Sequence, residues 1–174
     1  MKPTQFRPIT SDDHQGLVAL WRDTWTATYG PSLGLAALDS SLKDLAQNGT
    51  ASMLPGFGEL GYCMADGQDI RASAIVVERG TVAYLWGMYV HPSCQRQGLG
   101  SLLLKGVASE IATSSDIEIR ALPTSSSAIS FYQKHGFVET GTEDTELTGG
   151  VSAKTLIMSV SVERLKAMSL MSSL

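Results

Sequence analysis

Cysteine, positive charge and long apolar runs are all scarce in this 174-residue sequence, and each scarcity excludes something. Two cysteines, Cys63 and Cys94, make no disulfide framework and read as reduced thiols. No apolar stretch approaches the roughly 20 residues that span a bilayer. The opening residues, Met1 to Pro8, lack the apolar run of a signal peptide. The expectation is a soluble cytoplasmic protein. With 13 Lys and Arg against 17 Asp and Glu, the net charge is −4. A general nucleic-acid binder needs a basic face to displace counterions from phosphates, so that class is set aside. His14, His91 and His135 lie far apart with no companion at ligand spacing, so no metal is expected.

Familiar phosphate-binding strings are missing too. No G-x-x-x-x-G-K-[ST] loop occurs, and a dinucleotide fingerprint fails because Leu103 stands where a third glycine would follow Gly98 and Gly100. What is present is an ordinary globular composition, 43 % hydrophobic and 17 % charged. The length suits one domain over residues 1–174, able to bury its own core.

Hydrophobic spacing predicts a mixed-direction α/β sheet. A short strand over 6–9 precedes a helix cap at Ser11-Asp12-Asp13. Leu17, Leu20, Trp21 and Trp25 follow at helical spacing, with the break expected at Tyr29-Gly30-Pro31 and a second helix over 33–46. A Gly- and Pro-bearing loop over 51–61 leads to strands over 60–65, 70–77 and 82–90. The third of these is apolar almost throughout, as a central strand covered on both faces would be. Helices are expected over 98–112 and 125–135, and strands over 117–121, from 138 onward, and over 154–160. The tail over 165–174, with Met168, Leu170 and Met171, packs either on the domain or on a second copy in a homodimer.

The most informative stretch joins the long strand to the helix after it: Tyr89-Val90-His91-Pro92-Ser93-Cys94-Gln95-Arg96-Gln97-Gly98-Leu99-Gly100-Ser101. The first turn of a helix carries N–H groups without internal partners and a partial positive charge, so an anion there accepts several backbone hydrogen bonds. Glycine lets a phosphate approach the backbone closely. About thirty residues on comes Ala128-Ile129-Ser130-Phe131-Tyr132-Gln133-Lys134-His135-Gly136-Phe137.

Gln95-x-x-Gly98-x-Gly100 resembles the Q/R-x-x-G-x-G/A turn of the GNAT superfamily of acetyl-CoA-dependent N-acetyltransferases. The second stretch is similar to that family's A-x-x-[LF]-Y-x-K-x-G-F. The resemblance covers residues 82–138 closely, and Phe6-Arg7-Pro8-Ile9-Thr10-x-x-Asp13 resembles the family's first strand and turn. It implies a mixed central sheet with a splayed parallel strand pair flanked by helices, and acetyl transfer from acetyl-CoA to a primary amine without a metal. It further implies that pantetheine bonds along the backbone of Met88, Tyr89 and Val90. The pyrophosphate would take N–H groups of Arg96, Gln97, Gly98, Gly100 and Ser101, while the Arg96 side chain either adds a contact or points into solvent. A main-chain N–H near Val90 would polarise the carbonyl. Tyr132 matches the family's general acid, its other reading being a core tyrosine on an apolar stripe.

Two departures stand out. Ser125 occupies the place where the family often has a cofactor-touching asparagine, and it either bonds the cofactor or caps its helix. No carboxylate lies between Thr81 and Gln95, so the base is unassigned, with Glu78, Glu59, Tyr84 and His91 as substitutes. Tyr29 and Trp25 are the acceptor-side candidates, although Trp21 and Trp25 equally suit a core. Ser125-Ser126-Ser127 reads as a helix start and Cys94 as a plain loop cysteine. Rival readings are a non-catalytic acyl-CoA sensor, or an enzyme acting on protein N-termini or lysines.

Overall fold

The structure, a computed structural model, describes residues 3–34, 36, 38–40, 42, 43, 54–147 and 151–171. Its strands are β1 (Gln5–Pro8), β2 (Glu59–Asp66), β3 (Asp69–Arg79), β4 (Val82–Val90), β5 (Asp116–Ala121), β6 (Val138–Leu147) and β7 (Val151–Ser161). The helices are α1 (His14–Leu33), α2 (Leu99–Glu110), α3 (Ser126–Lys134) and α4 (Val162–Met171). The strands form one seven-stranded sheet in the order β1-β2-β3-β4-β5-β7-β6. All pairings are antiparallel except β4 with β5. No described helix is long and apolar enough to cross a membrane.

Both faces of the sheet centre are covered, which is why β2 and β3 read as nearly unbroken apolar runs. Along β2, Tyr62 and Met64 join a cluster with Leu103, Leu104 and Val107 of α2, and with Phe137 and Leu165. The intervening Cys63 and Ala65 join Leu17, Leu20, Trp21 and Trp25 of α1. Each fully buried Leu or Val contributes roughly 1.5–3 kcal/mol. The start of α4 packs on the domain: Leu165 is fully buried, and Lys166 Nζ donates to the Ile111 carbonyl at 3.1 Å, while the side chains of 169–171 and residues 172–174 lie outside the described residues.

The start of α1 is fastened by charge. Arg7 donates twice to the Asp13 carboxylate at 2.7 Å, and Thr10 N–H donates to the same carboxylate at 2.8 Å in a capping box. Asp13 is 3 % exposed, and the Arg7 hydrogen bond, outweighing burial, holds its carboxyl below the ordinary value.

One boundary differs from the sequence expectation. Helix α1 does not stop near Thr28 but passes through Gly30 and Pro31 to Leu33. A proline so near the end forfeits little of the hydrogen-bond ladder, and the chain leaves the helix at Gly34, with φ +80°. Of the helix expected over 33–46, residues 36, 38–40, 42 and 43 are helical, Leu33 and Gly34 close α1, and 35, 37, 41 and 44–46 lie outside the described residues.

Candidate active site

The site begins where two strands part. β4 pairs with β5 at Val82–Asp116, Ala83–Ile117 and Tyr84–Glu118 only. Past that point β4 follows β3 up to Val90–Ala72, while β5 follows β7 up to Ala121–Leu156. From Leu85 to Val90 no strand among the described residues pairs with the β5-facing edge of β4, and a cleft opens where the two strands diverge.

A bulge in β4 accompanies the parting. Between the pairs Ile75–Trp86 and Ser73–Tyr89, the single Ala74 of β3 faces both Gly87 and Met88. Such an extra residue bends a strand and strengthens its twist. Gly87 has φ +58°, and a Cβ there would stand 3.2 Å from the Trp21 ring, so glycine meets both requirements. The bulge also resets the faces of β4. Leu85, Met88 and Val90 belong with the cluster under α2 and α3, whereas Trp86 and Tyr89 touch rings of α1.

At the end of β4 the chain makes a short 3-10 turn, Pro92–Cys94, and then enters α2. Gln95 Nε2 donates back to the Val90 carbonyl at 3.2 Å, and Gln97 Nε2 to the Ser93 carbonyl at 2.9 Å. These amides brace the turn. Arg96 has φ +60° and Gly98 φ +82°, two left-handed residues that fold the backbone over the helix end. The first bond into the helix runs from Leu102 N–H to the Gly98 carbonyl at 3.0 Å. The N–H groups of Leu99, Gly100 and Ser101 therefore have no intrahelical acceptor. A Cβ on Gly98 would meet only open space, and the Arg96 side chain is exposed. This end of α2 is shaped for an anion with several oxygens.

A buried histidine, which sequence spacing did not single out, joins the two signature stretches. His135 is 4 % exposed; its Nδ1 donates to the Phe131 carbonyl at 2.8 Å, and its Nε2 lies 3.0 Å from Ser101 Oγ. A carbonyl only accepts, so in the neutral ring Nδ1 carries the proton and Nε2 accepts from the Ser101 hydroxyl. The end of α3 is thereby pinned to the first turn of α2. Ser125 precedes α3 but makes no side-chain cap; its carbonyl accepts from Ile129 N–H at 3.0 Å and its N–H donates to the Leu122 carbonyl at 2.9 Å.

Tyr132 reaches from α3 to β4. Its hydroxyl donates to Met88 Sδ at 3.6 Å, while its ring meets Phe131 and Phe137 edge-on at 5.2 and 5.1 Å. The residue is thus both packed on an apolar stripe and aimed at the strand that borders the cleft.

The opposite face of β4 is aromatic. Trp21 lies 4.9 Å from Tyr89 and 6.2 Å from Trp86 between ring centroids, and Trp25 packs behind it at 5.5 Å. Trp25 is only 5 % exposed, its indole N–H has no hydrogen-bond partner among the described residues, and its ring packs against Trp21 and Tyr89. Tyr29 falls late in α1, and its side chain lies outside the described residues.

The four substitute bases named from the sequence separate clearly. Glu78 accepts from the N–H groups of Ala112, Thr113 and Ser114 and from the Thr113 hydroxyl at 2.6–3.0 Å. Burial alone would raise its pKa, but these donors outweigh burial and bring it down to about 2. Glu59 is turned to Gly56 N–H at 2.7 Å, before β2 begins its central pairing. Tyr84 lies between the guanidinium groups of Arg79 and Arg120, at 5.4 and 5.5 Å. His91 accepts from Ser93 N–H at Nδ1, so its Nε2 donates to Asp23 at 3.3 Å. A carboxylate outside the long strand stands at the last bridge before the strands part: Glu118 of β5, register partner of Tyr84, accepts from Arg120 at 2.6 Å. Cys94 is half-buried beside Ser93, while burial pushes the Cys63 thiol up to about 11. Among the described residues no His, Cys, Asp and Glu cluster could hold a metal.

Comparison with known proteins bears on this geometry. Residues 58–139 match the family described as Acetyltransferase (GNAT) domain. No curated protein sequence matches the chain significantly. Among solved structures, the ribosomal-protein-S18-alanine N-acetyltransferase of Escherichia coli is similar at 20 % identity and TM-score 0.66, over 91 % of this chain and 94 % of that one. PaiA N-acetyltransferase of Thermoplasma acidophilum, solved with coenzyme A, is similar at 16 % identity and TM-score 0.62, over 90 % and 98 %. A ribosomal-protein-alanine N-acetyltransferase of Brucella melitensis is similar at 16 % identity and TM-score 0.63, over 90 % and 99 %. At such identities the likeness establishes the fold.

Proposed function

We propose that this chain, which carries a GNAT acetyltransferase domain, transfers the acetyl group of acetyl-CoA to a primary amine by direct attack within a ternary complex. The observation that carries this reading is the continuity of the site: a strand edge over Leu85–Val90, left uncovered by β5, runs straight into a helix end whose first N–H groups lack intrahelical acceptors. A substrate with a diphosphate at one end and an amide-bearing arm at the other suits both parts.

In this reading the N–H groups of Arg96, Gln97, Gly98, Gly100 and Ser101 receive the diphosphate, and the backbone edge of Met88, Tyr89 and Val90 guides the arm. Gln95 holds the turn in place, and the Ser125 hydroxyl, not spent on a cap, is available to the arm. Acetyl-CoA supplies an activated thioester. The amine nitrogen forms the new N–C bond as the C–S bond breaks. Its proton passes to Glu118, directly or through water, and the Tyr132 hydroxyl protonates the departing thiolate. A main-chain N–H near Val90 faces the charge that develops on the carbonyl oxygen. Most of the rate advantage comes from holding both reactants in one cleft.

The test is calorimetry with CoA and acetyl-CoA, followed by free-thiol release with a panel of amines. Saturable binding with amine-dependent thiol release supports transfer. Binding without release from any amine supports a sensor instead. Because two similar structures are of ribosomal-protein-alanine acetyltransferases, the panel includes a peptide with a free N-terminal alanine.

A further inference from the structure

Resting on that reading, we infer that the acceptor is a primary amine carrying an aromatic ring, recognised by the indole of Trp86. Tyr132 and Met88 occupy the α3 side of β4 at the cleft, so an amine reaches the parted edge from the α1 side. There the strand presents Trp86 and Tyr89. Trp86 is 39 % exposed, an unusual state for a tryptophan on the central strand of a sheet.

This exposed ring is not loose. Trp21 stands perpendicular to it at 84°, 6.2 Å between centroids, and Trp21 is itself fixed by Tyr89, by Trp25 and by a hydrogen bond from its Nε1 to Ser73 Oγ at 3.4 Å. A flat apolar surface held rigid before binding loses little entropy when a second ring stacks on it.

Charge on the same side argues against polycations. Glu118 and Glu143 both face Arg120, and Asp23 faces Arg22 and His91. Two guanidinium groups offset two of these three carboxylates, and the single formal negative charge left over is a weak attraction for a polyamine or a basic peptide. Aromatic stacking is the recognition that remains.

The experiment compares kcat/KM for phenethylamine, ethylamine, spermidine and an N-terminal alanine peptide, using the full chain and thiol release. Phenethylamine should exceed ethylamine by about tenfold or more, a margin of the size expected for one stacked, desolvated ring. In Trp86→Ala that ratio should fall toward one through a raised KM for phenethylamine, and Trp86→Phe should restore most of it. A preference for spermidine or the peptide, or a ratio that survives Trp86→Ala, overturns the inference alone. Bound acetyl-CoA with no release from any amine overturns the transfer reading and this inference with it.

Discussion

The Tyr132 hydroxyl donates to the Met88 thioether sulfur across 3.6 Å, linking α3 to β4 beside the cleft. A phenol positioned to donate to a sulfur on this strand is well placed to donate to a leaving thiolate there. Tyr132→Phe keeps the ring contacts with Phe131 and Phe137 and removes the hydroxyl, with its bond to Met88 Sδ. The expected result is about a hundredfold loss in kcat, with the calorimetric Kd for acetyl-CoA almost unchanged. Undiminished turnover would remove Tyr132 from the acid role.

Glu118 is proposed to take the amine proton, so Glu118→Gln should lower kcat/KM by about a hundredfold. Arg120 keeps its two bonds to Glu143 in this variant, and the melting temperature should therefore hold within a few degrees. A kcat/KM equal to the parent's would show that the proton leaves by another route.

Gly98 combines a φ of +82° with open space beyond its Cα. Gly98→Val therefore introduces backbone strain of about 1–2 kcal/mol rather than a clash. The same side chain would hold a diphosphate off the helix end. Titration calorimetry should show acetyl-CoA binding at least about tenfold weaker, in a protein that still melts cooperatively. Unaltered affinity would move the diphosphate elsewhere.

Glu78 fastens the β3–β4 hairpin to the chain leaving α2, and its donors lower its pKa from the ordinary 4.5 to about 2. A carboxyl depressed on folding stabilises fully above its unfolded value and loses that contribution as pH falls toward its folded one. Stability should therefore decline between about pH 4.5 and pH 2. Glu78→Gln should cost roughly 1.5–3 kcal/mol at neutral pH, the worth of hydrogen bonds to a charged group, and flatten that acid decline. Equilibrium denaturation at several pH values reads both effects.

The sequence revealed most where the causes are local. Gly98 and Gly100 before a patterned helix, the apolar run over 82–90 and the Tyr132 stretch all declare themselves within a few residues. The distant partnerships did not. Nothing near Glu78 in the chain shows that its donors lie 34–36 residues on. Glu118 gives no local sign of its place, because only the sheet brings it from β5 to the edge of β4. His135 is solitary in the sequence and finds Ser101 only once α3 docks on α2. The passage of α1 through Gly30-Pro31 goes against a sound local rule, since those residues usually end a helix.

The extra residue at Gly87 has an evolutionary corollary. Side chains on a strand swap sides with every added or removed position. Gly87 is itself such an added position, so losing its codon would return Leu85, Trp86, Met88, Tyr89 and Val90 to plain alternation, each on its present side, with only the bend lost. One more residue added here would instead turn one flank over, whereas the turns at Gly67 and Gly80 are free to grow or shrink by one.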